Sequence, residues 1–234
     1  MTSSDYKKAK EVVTEVCNRN DLHGKVSITQ LYWTALEYPQ YHVRYTYSEK
    51  TYDDQTVRLE KETTFKDDWS YHSRILPEYK EAFLEQKSIK ELEDKIEEQL
   101  KKQSLGLPIN FFSFLGNFYP DEKEAILDSI AKQNIKEGKK DFAGYYQIPF
   151  QTLIDQELVD MTIFVDDSAS VTTDQDLKKA AKKLDASDLP DGAYSFYYSN
   201  HKDDSDNTLS YSFKVKEGKV VFYEDQQDGL EDPN

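Results

Sequence analysis

The sequence reads as an α+β protein: antiparallel meander sheets packed against helices, in two helix-plus-meander units. Two alternating segments carry that reading. Tyr41, Val43, Tyr45 and Tyr47 alternate with His42, Arg44, Thr46 and Ser48, and Leu209, Tyr211, Phe213 and Val215 alternate with Ser210, Ser212, Lys214 and Lys216. Period-two alternation marks a strand with one buried and one wet face. The third observation is order: each segment follows an amphipathic helical pattern. Only this order repeats, since no residue string recurs.

Ser3 or Ser4 is placed to cap a first helix over 5–19, where Tyr6, Ala9, Val12, Val13, Val16 and Cys17 recur at helical spacing. Asn20, Asp21 and Gly24 end it. Strands are expected at 25–36, 41–48 and 56–66, parted by Pro39 and by the polar stretch 49–55. Residues 77–103 read as helix, with Pro77 in its first turn and a Ser88/Glu91 capping box restarting it after a bend. Ile89, Leu92, Ile96 and Leu100 form its narrow apolar stripe, which suits a surface helix packed along a line or a short coiled-coil partner helix.

Gly106 and Pro108 mark a boundary. The run 109–119, with four phenylalanines and Tyr119, reads as core or as an exposed aromatic patch. Pro120 and Asp121 open a helix to about 133, with Asp121/Glu124 as a capping box and Gly138 as its stop. Residues 142–166 read as irregular to extended, with a strand at 161–165. Thr173 caps a helix to 184 on the Leu177, Ala180, Ala181 and Leu184 face. Strands at 193–199, 208–216 and 219–224 follow, and a two-residue Glu217-Gly218 loop pairs Val215 with Val220 and Phe213 with Phe222. The units are therefore drawn as 1–105 and 106–226, with 227–234 a disordered acidic tail.

The chain has 234 residues and a net charge of −15. Residues 1–105 hold 20 acidic and 17 basic side chains, and residues 106–234 hold 25 and 13. This acidity argues against nucleic-acid partners and anionic membrane surfaces. Of the basic residues 26 are Lys and four are Arg, which disfavours phosphate sites built on bidentate Arg. No apolar run of 18 residues exists, so no transmembrane segment is expected.

Chemistry-bearing motifs are scarce. The pattern contains no P-loop, dinucleotide fingerprint, nucleophile elbow or zincin motif. Cys17, on the apolar stripe, reads as a structural thiol. His23, His42, His72 and His201 lack helical-spaced partners, although His42 and His72 could meet in space. The loop Asp203 to Asn207 offers oxygens but not the EF-hand spacing, and Asp166-Asp167 suits turn duty. No catalytic, cofactor or metal residue is nominated, no cofactor is expected, and the oligomeric state is left open.

A helix followed by a curled antiparallel meander, over 5–66 and 158–224, resembles the cystatin-like or PepSY-like class. Lys in excess of Arg, 17 Tyr, one Cys and a polar Ser/Asp/Lys start running into a helix resemble the mature part of cell-surface lipoproteins of low-GC Gram-positive bacteria. That resemblance implies a leader and lipid-anchored cysteine upstream of Met1. The expectation is a non-enzymatic extracellular binding module at a bacterial cell envelope, its partner an unknown protein or envelope ligand. The alternatives are a cell-wall or sugar hydrolase using paired carboxylates, and an intracellular protein docking a partner through the 89–100 stripe.

Overall fold

A computed structural model describes residues 1–35, 40–70, 77–117, 121–200 and 207–223. The fold is α+β, in two compact units that are each built from two chain segments. One comprises 1–86 and 125–148, the other 87–124 and 149–234. The Gly/Pro punctuation at 104–108 thus falls inside the second unit.

In the first unit, helix α1 (Ser3–Arg19) is capped by Thr2, one position before the expected serines. Thr2 and Asp5 make a reciprocal capping box, which satisfies two otherwise orphaned N–H groups. Its buried face is Ala9, Val13, Val16 and Cys17. Strands β1 (Lys25–Thr34), β2 (Gln40–Lys50) and β3 (Thr56–Lys66) form an antiparallel sheet in sequence order. Val43, Tyr45 and Tyr47 are buried, while Arg44 faces solvent, as the alternation requires. A bulge at Ile28/Gln30 shifts the β1–β2 register. The turn into β1 needs a glycine: a Cβ on Gly24 would lie 2.5 Å from the Ser48 carbonyl oxygen, and the Gly24 N–H donates to the Tyr47 hydroxyl at 2.8 Å.

The rest of the first unit closes this core. The helix expected over 77–103 is instead a 3-10 helix at Pro77–Glu85 followed by a separate α-helix. Tyr79, Ala82 and Phe83 are buried. The Tyr79 hydroxyl lies 2.9 Å from that of Tyr45 and 3.7 Å from the Cys17 sulfur. From helix α3 (Asp121–Lys136), Asp128 accepts from buried Lys80 at 2.6 Å and from the Tyr145 hydroxyl at 2.8 Å. Asp121 is the first helical residue of α3, so it serves the dipole with Glu122 and Glu124 and does not cap. A 3-10 turn at Asp141–Gly144 follows, with Phe142, Ala143 and Gly144 all left-handed.

In the second unit, helix α2 (Lys87–Lys102) buries Ile89, Ile96 and Leu100. Ser88 lies within its first turn, so the expected capping box does not form there. Strand β4 (Ile109–Gly116) is the apolar run that the sequence left as core or patch. In the segment 142–166 the strand expected at 161–165 is present as β5 (Val159–Val165), and the part read as irregular to extended also holds helix α4 (Phe150–Asp155). Helix α5 (Asp174–Ala181), capped by Thr173 with Asp176, stops three residues short of Leu184. Strands β6 (Gly192–Asn200), β7 (Asn207–Lys216) and β8 (Lys219–Val221) complete a sheet ordered β4-β5-β6-β7-β8.

That sheet is not wholly antiparallel: β5 and β6 run parallel, joined by a crossover through α5. The expected C-terminal meander exists, but as three of five strands. Val215 pairs with Val220 as expected. Phe213 does not pair with Phe222, because β8 ends at Val221 and the Phe222 ring lies 6.2 Å from Tyr211. The tail 227–234 lies outside the described residues.

Edge strand β4 is covered by α2 through two carboxylates. Glu97 accepts from the Phe112 N–H at 3.1 Å. Glu93 accepts from the Phe114 N–H at 2.9 Å and the Ser113 hydroxyl at 2.7 Å. Capping these outward N–H groups removes a pairing template from the edge. Of the α2 apolar stripe, Ile89, Ile96 and Leu100 are buried and Leu92 is half-buried.

Candidate functional site

Both tryptophans gather at one end of the three-stranded sheet. Cross-strand register sets Trp33 opposite Tyr41, and Tyr41 opposite Phe65. Three rings therefore share the face that carries Leu31 and Val43, with Phe65 part of the core and Tyr41 packed against it. The turn after β3 returns a fourth: Trp69 stacks on Tyr41 with centroids 4.2 Å apart and lies 6.0 Å from Phe65.

The turn that delivers Trp69 is strained and locked. Trp69 has φ 63°, a left-handed conformation that is unfavourable for a bulky residue. Its N–H donates to the Lys66 carbonyl at 2.8 Å, the Lys66 N–H donates to the Ser70 carbonyl at 2.8 Å, and the Ser70 N–H donates to Asp68 at 2.8 Å. Asp67 of the same turn accepts from the Trp33 indole N–H at 2.8 Å. Phe65 is buried and Tyr41 and Trp69 are half-buried, but Trp33 is 45% exposed. The result is an open indole, oriented by a carboxylate, beside a packed aromatic base.

The opposite face of this sheet carries a polar cluster. Glu62 accepts from Arg44 at 2.6 Å and from the Tyr32 hydroxyl at 3.3 Å, and lies 3.5 Å from His42. Tyr32 and His42 stack at 4.6 Å, and Arg44 also donates to Gln30 at 3.1 Å. The Arg44 hydrogen bond holds the Glu62 carboxyl below the usual range. Each group answers another across strands, which describes a wet-face ladder.

A third group of carboxylates sits where β2 ends. Burial pushes the Glu49 carboxyl up, yet both its oxygens are committed: one accepts from the Tyr47 hydroxyl, the other from the Phe142 N–H at 3.1 Å. Asp141 accepts from the Tyr52 N–H at 2.8 Å and from Gln147 at 2.9 Å. Asp53 accepts from the Tyr146 hydroxyl at 3.2 Å, and burial pushes that phenol up to about 12. These carboxylates bind the β2–β3 loop to the 141–147 segment.

In the second unit, the sheet face opposite Phe112 and Ile163 carries Phe111 stacked on Phe164 at 4.1 Å, with Tyr197 edge-on to Phe164 at 5.4 Å. Thr162 meets Ser195 beside them at 3.3 Å. Phe111 is 40% exposed and Phe112 is buried, which resolves the aromatic run: alternate rings face solvent and core.

Cys17 is buried, and burial raises its thiol, as a structural cysteine requires. His23 approaches Asn18 at 3.5 Å. His72 and His201 lie outside the described residues, as does the loop 203–206. Asp166 accepts from the Ser168 N–H at 2.8 Å, the expected turn duty. Among the described residues, no three His, Cys, Asp or Glu side chains are grouped to hold a metal ion, and no helix is long and apolar enough to cross a membrane.

The Trp33 site was not nominated from the sequence. Its usable signals were both tryptophans, one on a strand and one in an Asp-Asp-Trp-Ser turn. No family model matches the chain, and no curated protein matches it. Among solved structures, it is similar to a DUF5037 family protein from Ruminococcus gnavus ATCC 29149, at 12% identity and a TM-score of 0.32, over 88% of this chain and 90% of that one.

Proposed function

We propose that the chain is a non-enzymatic binding module acting at a bacterial cell envelope, with the open aromatic end of its three-stranded sheet as the binding surface. The observation that carries the reading is Trp33. A large aromatic left half-exposed and held in orientation by Asp67 resembles a contact residue more than a packing residue. The lysine-rich, cysteine-poor composition and acidic surface support the envelope setting.

The test is co-sedimentation of the purified protein with isolated Gram-positive cell envelopes. The wild type is expected in the pellet and Trp33→Ala in the supernatant. Wild type remaining in the supernatant, or both proteins pelleting equally, would remove the reading.

A further inference from the structure

We infer that the Trp33 face is a cation–π seat for an alkylammonium group. Its preferred occupant is a quaternary ammonium head. The inference rests on the binding reading above and names the chemistry of its ligand.

Three features of the site select a cation. First, the indole offers the most electron-rich face among side chains, and a cation within about 6 Å of its centroid is attracted by the ring quadrupole. Trp33 is 45% exposed, whereas Trp69 is half-buried and its stack with Tyr41 occupies one side of its ring. Second, the Trp33 indole N–H donates to the Asp67 carboxylate at 2.8 Å. Donation to an anion polarises the indole and makes its face more negative. It also fixes a carboxylate at the ring edge, close to anything seated on the ring. Asp68 follows in the same turn, where it accepts from the Ser70 N–H. Third, the net charge of −15 concentrates cations and repels anionic ligands.

The ligand's own chemistry follows from what the site lacks. The Asp67 oxygen nearest Trp33 is already taken by the indole, so the ring must supply much of the attraction. A diffuse, weakly hydrated charge such as a trimethylammonium gives up its water most readily to a ring. A compact ammonium keeps its hydration and binds less well.

The experiment follows the Trp33 indole N–H resonance by NMR while the intact protein is titrated. The probes are choline, Nα-acetyl-lysine methylamide, and 3,3-dimethylbutan-1-ol, the uncharged isostere of choline. Choline is expected to shift the resonance saturably at millimolar concentration, the lysine amide to do so more weakly, and the alcohol not to bind. Asp67→Asn should weaken choline about fivefold, the effect of one charge a few ångströms away at the surface, and added salt should weaken it in the wild type. Trp33→Leu, at a half-exposed strand position, should keep the thermal midpoint and lose choline binding as seen on other shifted resonances. A lysine amide that binds as well as choline still supports an ammonium seat and reassigns its source to a basic peptide. The inference is overturned if the alcohol binds as tightly as choline, if no probe moves the resonance, or if Trp33→Leu retains binding. Pelleting with envelopes that depends on Trp33 but resists excess choline would overturn the cation assignment alone and leave the binding reading standing.

Discussion

Glu49 shows how this protein handles a buried charge. Its carboxyl is raised first by desolvation, and the hydrogen bonds from Tyr47 and the Phe142 N–H only partly oppose that. A folded-state value above the unfolded one means the native protein holds this proton more tightly than the unfolded chain. The stabilisation that results is complete below the ordinary glutamate range and is lost as pH rises through the folded value. At neutral pH the ionised group is therefore a net burden. Glu49→Gln removes the titration and keeps a carbonyl oxygen to accept from the Phe142 N–H. The stability of the Gln variant relative to wild type, from urea unfolding at a series of pH values from the ordinary glutamate range upward, should rise with pH and then level off. A difference that stays constant with pH would sink the account. Glu49 reads in the sequence as part of a polar loop, because its burial depends on a partner segment 93 residues away, at Phe142.

Elements were legible where one face was wet. The alternation in β2 and β7 shows because Arg44, Ser210 and Ser212 stand between rings. Strand β4 is hidden in the sequence because Phe111 and Leu115 face solvent while Phe112 and Phe114 face the core, so period two vanishes into one apolar run. The parallel pairing of β5 and β6 did have a signal: strand, helix, strand over 159–165, 174–181 and 192–200 is the βαβ order. Short α4 offered too few turns to show a period. The α2 carboxylates that cap β4 lead to a prediction at this level. Each outward N–H that loses its acceptor forfeits about 1 kcal/mol of local stability. In Glu93→Ala/Glu97→Ala, hydrogen exchange at the Phe112 and Phe114 amides should quicken about fivefold or more. The amides of β6 should not change, and the exposed edge should raise the tendency to aggregate. Unchanged exchange at both phenylalanines would show that water serves as well as the carboxylates.

Taken as a molecule, the chain balances two cores against a large like-signed charge. The site at Trp33 belongs to the first core. The register Trp33–Tyr41–Phe65 follows from two adjacent hairpins, so the row of rings was within reach of the sequence. The return of Trp69 was not, since it depends on a left-handed residue in a polar turn. The charge, by contrast, is read directly, and it has a global consequence. Fifteen net negative charges repel one another more in the compact state than in the expanded chain. The ion pairs that salt would weaken, such as Lys102–Glu98 at 3.6 Å and Lys50–Asp54 at 2.8 Å, are exposed and contribute little. Screening should therefore favour folding on balance. Raising sodium chloride from about 20 mM to 500 mM shortens the Debye length from about 20 Å to about 4 Å. The thermal midpoint by calorimetry should rise by about 2–4 °C, the response of a chain this size to about 1 kcal/mol. A fall in the midpoint would mean that these surface pairs outweigh the repulsion they sit in.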